Sequence, residues 1–137
     1  MEFPIHAACQ CGQVTYKLFA APKMVLACHC KECQTLATAP FSVTALVSAD
    51  DIEISGEMQE WERMAESGNR NRAKFCTGCG NRVLHFNPDD AHLLKLKLKP
   101  TDRKYDALFT PTAHVWTSEK VSWFELPEGV KSFPKQP

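Results

Sequence analysis

The chain has 137 residues, 16 basic and 16 acidic side chains, no formal net charge and 44% apolar residues. That is enough for one domain with its own core and too little for two, which sets the expectation of a single domain over residues 1–137. The balanced charge leaves no basic face for nucleic acid, apolar runs such as Met24-Val25-Leu26-Ala27 are far too short to cross a bilayer, and Met1-Glu2-Phe3-Pro4 lacks the features of an export signal, so a cytoplasmic protein without membrane or nucleic-acid partners is expected.

After a short lead-in comes Cys9-Gln10-Cys11-Gly12, two thiols on one face followed by a turn-permitting glycine. Val14, Tyr16 and Leu18 alternate with Thr15, Lys17 and Phe19, the pattern of a half-buried strand that Ala21-Pro22 ends. Lys23 to Cys28 is a second strand. Residues 30–37 suit about two helical turns before Pro40 stops them. Phe41, Val43, Ala45 and Val47 alternate again, Ile52-Glu53-Ile54 is a short strand, and Gln59 to Met64 another, with Trp61 on one side. Glu66-Ser67-Gly68-Asn69 is a turn, Arg72 leads into Cys76-Thr77-Gly78-Cys79-Gly80, and Val83 and His85 alternate with Leu84 and Phe86.

His92 to Lys99 is the clearest strand, with Leu94, Leu96 and Leu98 facing one way and Lys95, Lys97 and Lys99 the other. The lysine row is expected to be a solvated face at a sheet edge, with a polyanion-binding ridge as the sharper alternative. His114-Val115-Trp116-Thr117 is a last short strand. The segment 127–137 holds three of the nine prolines and reads as a loosely attached coil tail. Many short strands and one short helix predict an all-β domain.

Seven cysteines without an export signal favour metal binding or catalysis over a disulfide framework. They divide as four and three. Cys76-x-x-Cys79-Gly80 has the spacing of a zinc knuckle, and Cys9-x-Cys11 is the half-site that completes it. A closed four-thiolate site on Cys9, Cys11, Cys76 and Cys79 joins the N-terminus to mid-chain. By analogy with a disulfide, such a long closed loop is worth on the order of 4 kcal/mol, so the site is read as structural. Cys28, Cys30 and Cys33 remain. A strand running into a helical turn aims their sulfurs at one point and leaves a tetrahedral metal one open corner, the mark of a working site. His29, His85 and His114 are the candidates to close it. Three thiolates make a metal that favours a soft thiol over water, with Lys31 as an available counter-charge.

In order, Cys9-x-Cys11-Gly12-x-Val14, Cys28-His29-Cys30-x-x-Cys33 and Phe75-Cys76-x-x-Cys79-Gly80 resemble the glutathione-dependent formaldehyde-activating enzyme and centromere protein V family. His114-Val115-Trp116, Trp123 and Glu128-Gly129-Val130-x-x-Phe133 are similar to its C-terminal signature. The resemblance implies a two-layer, zinc-stabilised, β-tent-like fold of short antiparallel strands. It implies a structural zinc on Cys9, Cys11, Cys76 and Cys79, and a second, labile zinc on the catalytic Cys28, Cys30 and Cys33. It implies carbon–sulfur lyase chemistry on glutathione or a related thiol, such as formation or cleavage of S-hydroxymethylglutathione. One departure stands out: Thr38 lies where the family has a glycine, and a glycine there for close substrate approach predicts a different thiol in this chain. His114, Tyr105 and water are the candidates for the proton donor. A non-catalytic zinc-stabilised protein-binding module is the competing reading, and redox sensing by the three thiols a weaker third.

Overall fold

The alternation in the sequence becomes two sheets in a computed structural model, which describes residues 2–137. The strands are β1 (Ile5–Ala8), β2 (Thr15–Leu18), β3 (Met24–Cys28), β4 (Ser42–Ser48), β5 (Ile52–Ser55), β6 (Met58–Met64), β7 (Arg70–Cys76), β8 (Arg82–Phe86), β9 (Leu93–Leu96), β10 (Ala113–Val115) and β11 (Lys131–Ser132). A single α-helix, α1 (Lys31–Ala37), joins β3 to β4, and short 3-10 segments cover Ala49–Asp51, Arg103–Phe109 and Thr117–Glu119. Strands β1, β2 and β5 form an antiparallel sheet in the order β1-β2-β5. The other eight form a sheet ordered β11-β10-β3-β4-β9-β8-β7-β6. The fold is mostly β and neither sheet closes. Two pairings that alternation alone does not reveal are parallel: β10 with β3, and β10 with β11. No helix among the described residues is long and apolar enough to cross a membrane.

Period-two side chains sort the large sheet into two faces. Val25, Ala45, Val47, Leu84 and Leu96 turn toward the small sheet and share one core with its Ile5, Tyr16 and Leu18. The Tyr16 hydroxyl donates to the Leu98 carbonyl at 2.9 Å, which satisfies the one polar atom of a nearly fully buried ring. The opposite face carries Leu26 and Cys28 on β3, Thr44 and Leu46 on β4, Lys95 on β9 with Lys97 just beyond it, and His85 on β8. Helix α1 and the C-terminal segment roof part of that second face.

The lysine row is corrected by this arrangement. β9 lies between β4 and β8, in the middle of the sheet. Lys97 is half-buried, its Nζ donating to Thr44 Oγ1 at 2.6 Å and Ser42 Oγ at 3.2 Å. Lys99 Nζ donates to the Val43 carbonyl at 2.7 Å. Leucine–lysine alternation does report two faces, but a roofed face can take lysine when the aliphatic stem packs and the ammonium finds acceptors. Strand β9 also ends earlier than expected, because Lys97 N and Leu98 N both donate to the Val83 carbonyl and break the regular ladder.

The tail is corrected as well. β11 pairs with β10, and the Phe133 amide donates to the His114 carbonyl at 2.9 Å. The amides of Trp116, Thr117 and Ser118 donate to the carbonyls of Lys135, Phe133 and Pro134 at 3.1, 3.1 and 3.2 Å. Proline content and exposed side chains read as loose coil, whereas the attachment is made by backbone groups that carry no side-chain pattern.

Candidate metal centres

The first centre is made where two tight turns meet. The sulfurs of Cys9, Cys11, Cys76 and Cys79 all lie within 4.8 Å of one another. Cys9 and Cys11 are 3.7 Å apart, and Cys11 and Cys76 3.6 Å. Each turn closes on itself: Gly12 N donates to the Cys9 carbonyl at 3.0 Å and Gly80 N to the Cys76 carbonyl at 2.9 Å, with φ of +82° and +77° at the two glycines. Gly78 lets the turns pack closely: a Cβ there would stand 2.9 Å from Gln13 Oε1 and 3.2 Å from Cys11 Sγ, so the Gln13 side chain would have to shift. Gln13 fastens one turn to the other, its Nε2 donating to Thr77 Oγ1 at 2.6 Å and to the Glu57 carbonyl at 3.0 Å.

Backbone amides point at the sulfurs, from Val14 to Cys9 and from Gly78 to Cys76, both at 3.3 Å. The Val14 amide is the main reason the Cys9 thiol falls to about 6. Amides of Asn81 and Cys11 pull Cys79 down. Cys11 goes up to about 11: the Gln13 amide lowers it, but Cys76, burial, Cys9 and Cys79 together outweigh that pull. Four thiols this close cannot all ionise by themselves, and a divalent cation that draws on all four is what the donor set fits.

The second centre sits at the hinge between β3 and α1. Cys28 ends the strand, Cys30 is the residue before the helix, and Cys33 lies in its first turn, with all three sulfurs within 4.8 Å of one another. Cys30 caps the helix, its Sγ accepting from the Cys33 amide at 3.3 Å. Glu119 fastens the turn from outside: its Oε1 accepts from the Lys31 amide at 2.8 Å. Gln34 Nε2 bridges the carbonyls of His29 and Glu119 at 2.8 and 2.9 Å. The Cys33 thiol is driven far down by hydrogen bonds from Cys28 and Cys30, helped by the charge of Lys97 and the Ser42 hydroxyl. Cys28 is driven far up as the other side of the same sharing.

None of the three histidines that are candidates to close the open corner joins the cluster. His29 points away from its cysteine neighbours, its Nε2 2.7 Å from His114 Nδ1, both rings buried against Phe41 and Phe124. Burial, followed by the charges of His114 and Lys120, holds His29 down to about 4. His85 stands on the site face without reaching the sulfurs' group. The three thiols instead line a cavity of about 350 Å³ that also takes in Lys31, Arg63, His85, Lys95 and Lys97. Lys31 and Glu32 are exposed on its rim. Of the expected proton donors, Tyr105 is packed in the core and His114 belongs to the aromatic cluster; neither lines the cavity.

Sequence reasoning missed Lys97 and Arg63 as site residues and named His85 only as a ligand. Thr38 is also reinterpreted. It is the C-terminal cap of α1, with φ +47° and ψ +46°, and it does not line the cavity. A glycine at this position serves left-handed helix termination, and Thr38 fills the same role at some backbone strain.

Comparison with known proteins agrees with this arrangement. The family described as glutathione-dependent formaldehyde-activating enzyme matches residues 4–119, a span that contains all seven cysteines. No curated protein matches. Among solved structures, the crystal structure of a Rhodobacter sphaeroides protein, a structural genomics target, is similar over 94% of this chain and 99% of its own, with a TM-score of 0.51 and 12% identity. At that identity the likeness is one of fold. With the match running from before the first cysteine pair to beyond the last, the chain belongs to the glutathione-dependent formaldehyde-activating enzyme family.

Proposed function

We propose that residues 1–137 form one zinc-binding domain of a carbon–sulfur lyase-type enzyme. It acts in the cytoplasm on glutathione or a related thiol adduct, forming or cleaving compounds such as S-hydroxymethylglutathione. The observation that carries this reading is that Cys28, Cys30 and Cys33 converge with no fourth ligand among the described residues and line a cavity large enough for a small peptide. Cys9, Cys11, Cys76 and Cys79 hold the structural zinc, and the three-thiol centre holds the second, more labile one. Bound there, zinc supplies a soft Lewis-acid corner that favours a thiolate over water.

The chain's own residues do the rest. Lys97, fixed by Ser42 and Thr44, places a positive charge beside the sulfurs and offsets their accumulated negative charge. Arg63 and Lys95 present cations to the carboxylates of a peptide thiol. Arg82 Nη1 lies 3.0 Å from His85 Nε2; arginine can only donate, so a neutral His85 carries its proton on Nδ1. Burial, with Lys97 and Arg82 nearby, pushes His85 down to about 3 and keeps it neutral. In the forming direction the substrate thiolate attacks the aldehyde carbon, a C–S bond forms, and the oxygen takes up a proton. His85 Nδ1–H is the neutral donor on the cavity wall suited to hydrogen-bond that oxygen. The reverse breaks the same bond and returns the proton.

The test is consumption of free thiol from a mixture of glutathione and formaldehyde, followed against the spontaneous rate. Zinc-loaded wild-type protein should accelerate it and zinc-loaded Cys30→Ser should not. A wild-type protein with both centres filled that leaves the spontaneous rate unchanged overturns the reading and favours the binding-module alternative.

A further inference from the structure

The space that meets the three thiols continues across the sheet. A smaller cavity of about 140 Å³ shares Glu32, Leu36, Arg63, Asn71 and His85 with the larger one, and its far wall is Trp61 and Arg82. Strand register explains the row. Trp61 pairs with Ala73, Ala73 with His85, His85 with Lys95 and Lys95 with Leu46, so these side chains stand on the face that carries Cys28.

Arg82 is held rigidly there. Its guanidinium lies 5.7 Å above the Trp61 ring, and its Nη1 is fixed by His85. Arg63, Arg70 and Arg72 each have a carboxylate within 4.0 Å, whereas Arg82 has none among the described residues. One of its five N–H groups is used on His85, and the others have no acceptor among the described residues. A half-buried, pre-oriented guanidinium fork without a counter-ion is the arrangement that takes a carboxylate bidentately at little ordering cost.

We propose that the second cavity is a carboxylate-binding subsite, with Arg82 as the bidentate partner and Trp61 as its wall, for a peptide-sized substrate whose sulfur lies at Cys28, Cys30 and Cys33. Its sulfur end rests on the reading of the three-thiol centre given above; its carboxylate end does not. The span follows from register. Leu84 pairs with Leu96, Leu96 with Ala45 and Ala45 with Val25, so Arg82 and Cys28 lie at the same end of the sheet, three strand spacings apart. Three spacings are about 14 Å between backbones. Arg82 leans over Trp61 on the far side of β8, so the separation is not shortened from that end, and it is far beyond the length of a two-carbon thiol acid; a peptide-sized thiol is the class that can engage both ends.

Calorimetric titration of zinc-loaded, reduced protein tests this. The probes are glutathione, its glycine ethyl ester, S-methylglutathione, mercaptoacetate and 2-mercaptoethanol. Glutathione is expected to bind roughly tenfold more tightly than the ester, the worth of one charge-assisted hydrogen-bonded contact. Arg82→Gln should remove that difference, with each protein's affinity for 2-mercaptoethanol as its internal reference, and Arg82→Lys should restore it only in part because the fork is lost. Mercaptoacetate should show no dependence on residue 82. Should Arg82→Gln fail to fold, the acid–ester comparison on Arg82→Lys decides, since a difference there as large as in wild type places the carboxylate on another cation. Equal binding of acid and ester, or an acid–ester difference unchanged in Arg82→Gln, overturns the subsite. If no thiol binds but S-methylglutathione does, and only with Arg82 present, the subsite stands and the thiol reading falls; if neither thiols nor S-methylglutathione bind, the subsite falls too.

Discussion

Lys97 Nζ donates to Thr44 Oγ1 at 2.6 Å, and this bond fixes a lysine in the middle of a sheet with its charge toward the three-thiol centre. Burial lowers the lysine's pKa while Cys33, Cys28 and Cys30 raise it, so the ammonium and the sulfurs stabilise one another. Replacing it with methionine removes a desolvated charge and leaves two hydroxyls to find other partners. Lys97→Met should therefore be destabilised, by roughly 3 kcal/mol, because it leaves the buried sulfurs without their cation. Glutathione affinity should drop about tenfold, because one more anion then enters a cluster that has lost its cation. Calorimetry and a melting curve on the same protein check both halves; unchanged affinity removes Lys97 from the site.

The two cysteine centres should respond differently to loss of a thiol. Cys76→Ser breaks the clamp between two distant turns, and structural metal binding is part of the folding free energy, so the variant should be unfolded or aggregated. Cys30→Ser should stay folded and hold about one zinc per chain instead of about two. Metal analysis with circular dichroism separates the outcomes, and equal behaviour of the two variants contradicts the division of roles.

Glutathione binding to the zinc-loaded protein should release a proton, since the sulfur binds as thiolate. Titration in two buffers of different ionisation enthalpy reads this directly. S-methylglutathione should bind far more weakly and release none. Proton-free binding of glutathione shows that its sulfur does not reach the metal.

Acid should destabilise the fold through His85. Its folded pKa, about 3, lies below the unfolded value of 6.5, so the unfolded chain binds more protons between those limits and stability rises with pH across that window. As pH falls below about 6.5, stability should drop by up to about 1.4 kcal/mol per pH unit from this one group. His85→Gln, measured with zinc in excess, should flatten the slope between pH 6.5 and 5 by that amount; an unchanged slope places the acid sensitivity elsewhere.

Thr38 closes α1 at φ +47°, a conformation that costs a β-branched residue roughly 1 kcal/mol relative to glycine. Thr38→Gly should raise stability by about that much and leave thiol preference unchanged. A shift in preference among small thiols restores the idea that this position contacts substrate.

Much of the arrangement was legible in one dimension because its signals are local. Cys28, Cys30 and Cys33 lie within six residues, so strand and helix periodicity alone bring their sulfurs together. The glycines of the two turns mark where the chain bends around Cys9 and Cys76, and donor chemistry then pairs half-site with half-site across the sequence. Strands such as Thr15–Leu18 and Met24–Cys28 were visible because one face of each meets the core.

What the sequence by itself determined, then, was the mostly β class, the two sets of cysteines and the alternation of faces. Only the tertiary structure decided which face is roofed. Leucine–lysine alternation around Leu96 is identical for a strand at a wet edge and for β9 between β4 and β8, because the side-chain period does not record what lies above the sheet. The parallel pairing of β10 with β3 and β11, which holds the C-terminal segment, is made by backbone groups that every residue carries, and no pattern of side chains announces it. The placing of Arg82 beside Trp61 and His85 likewise depends on three strands meeting in one register, a long-range choice made by packing the whole core at once.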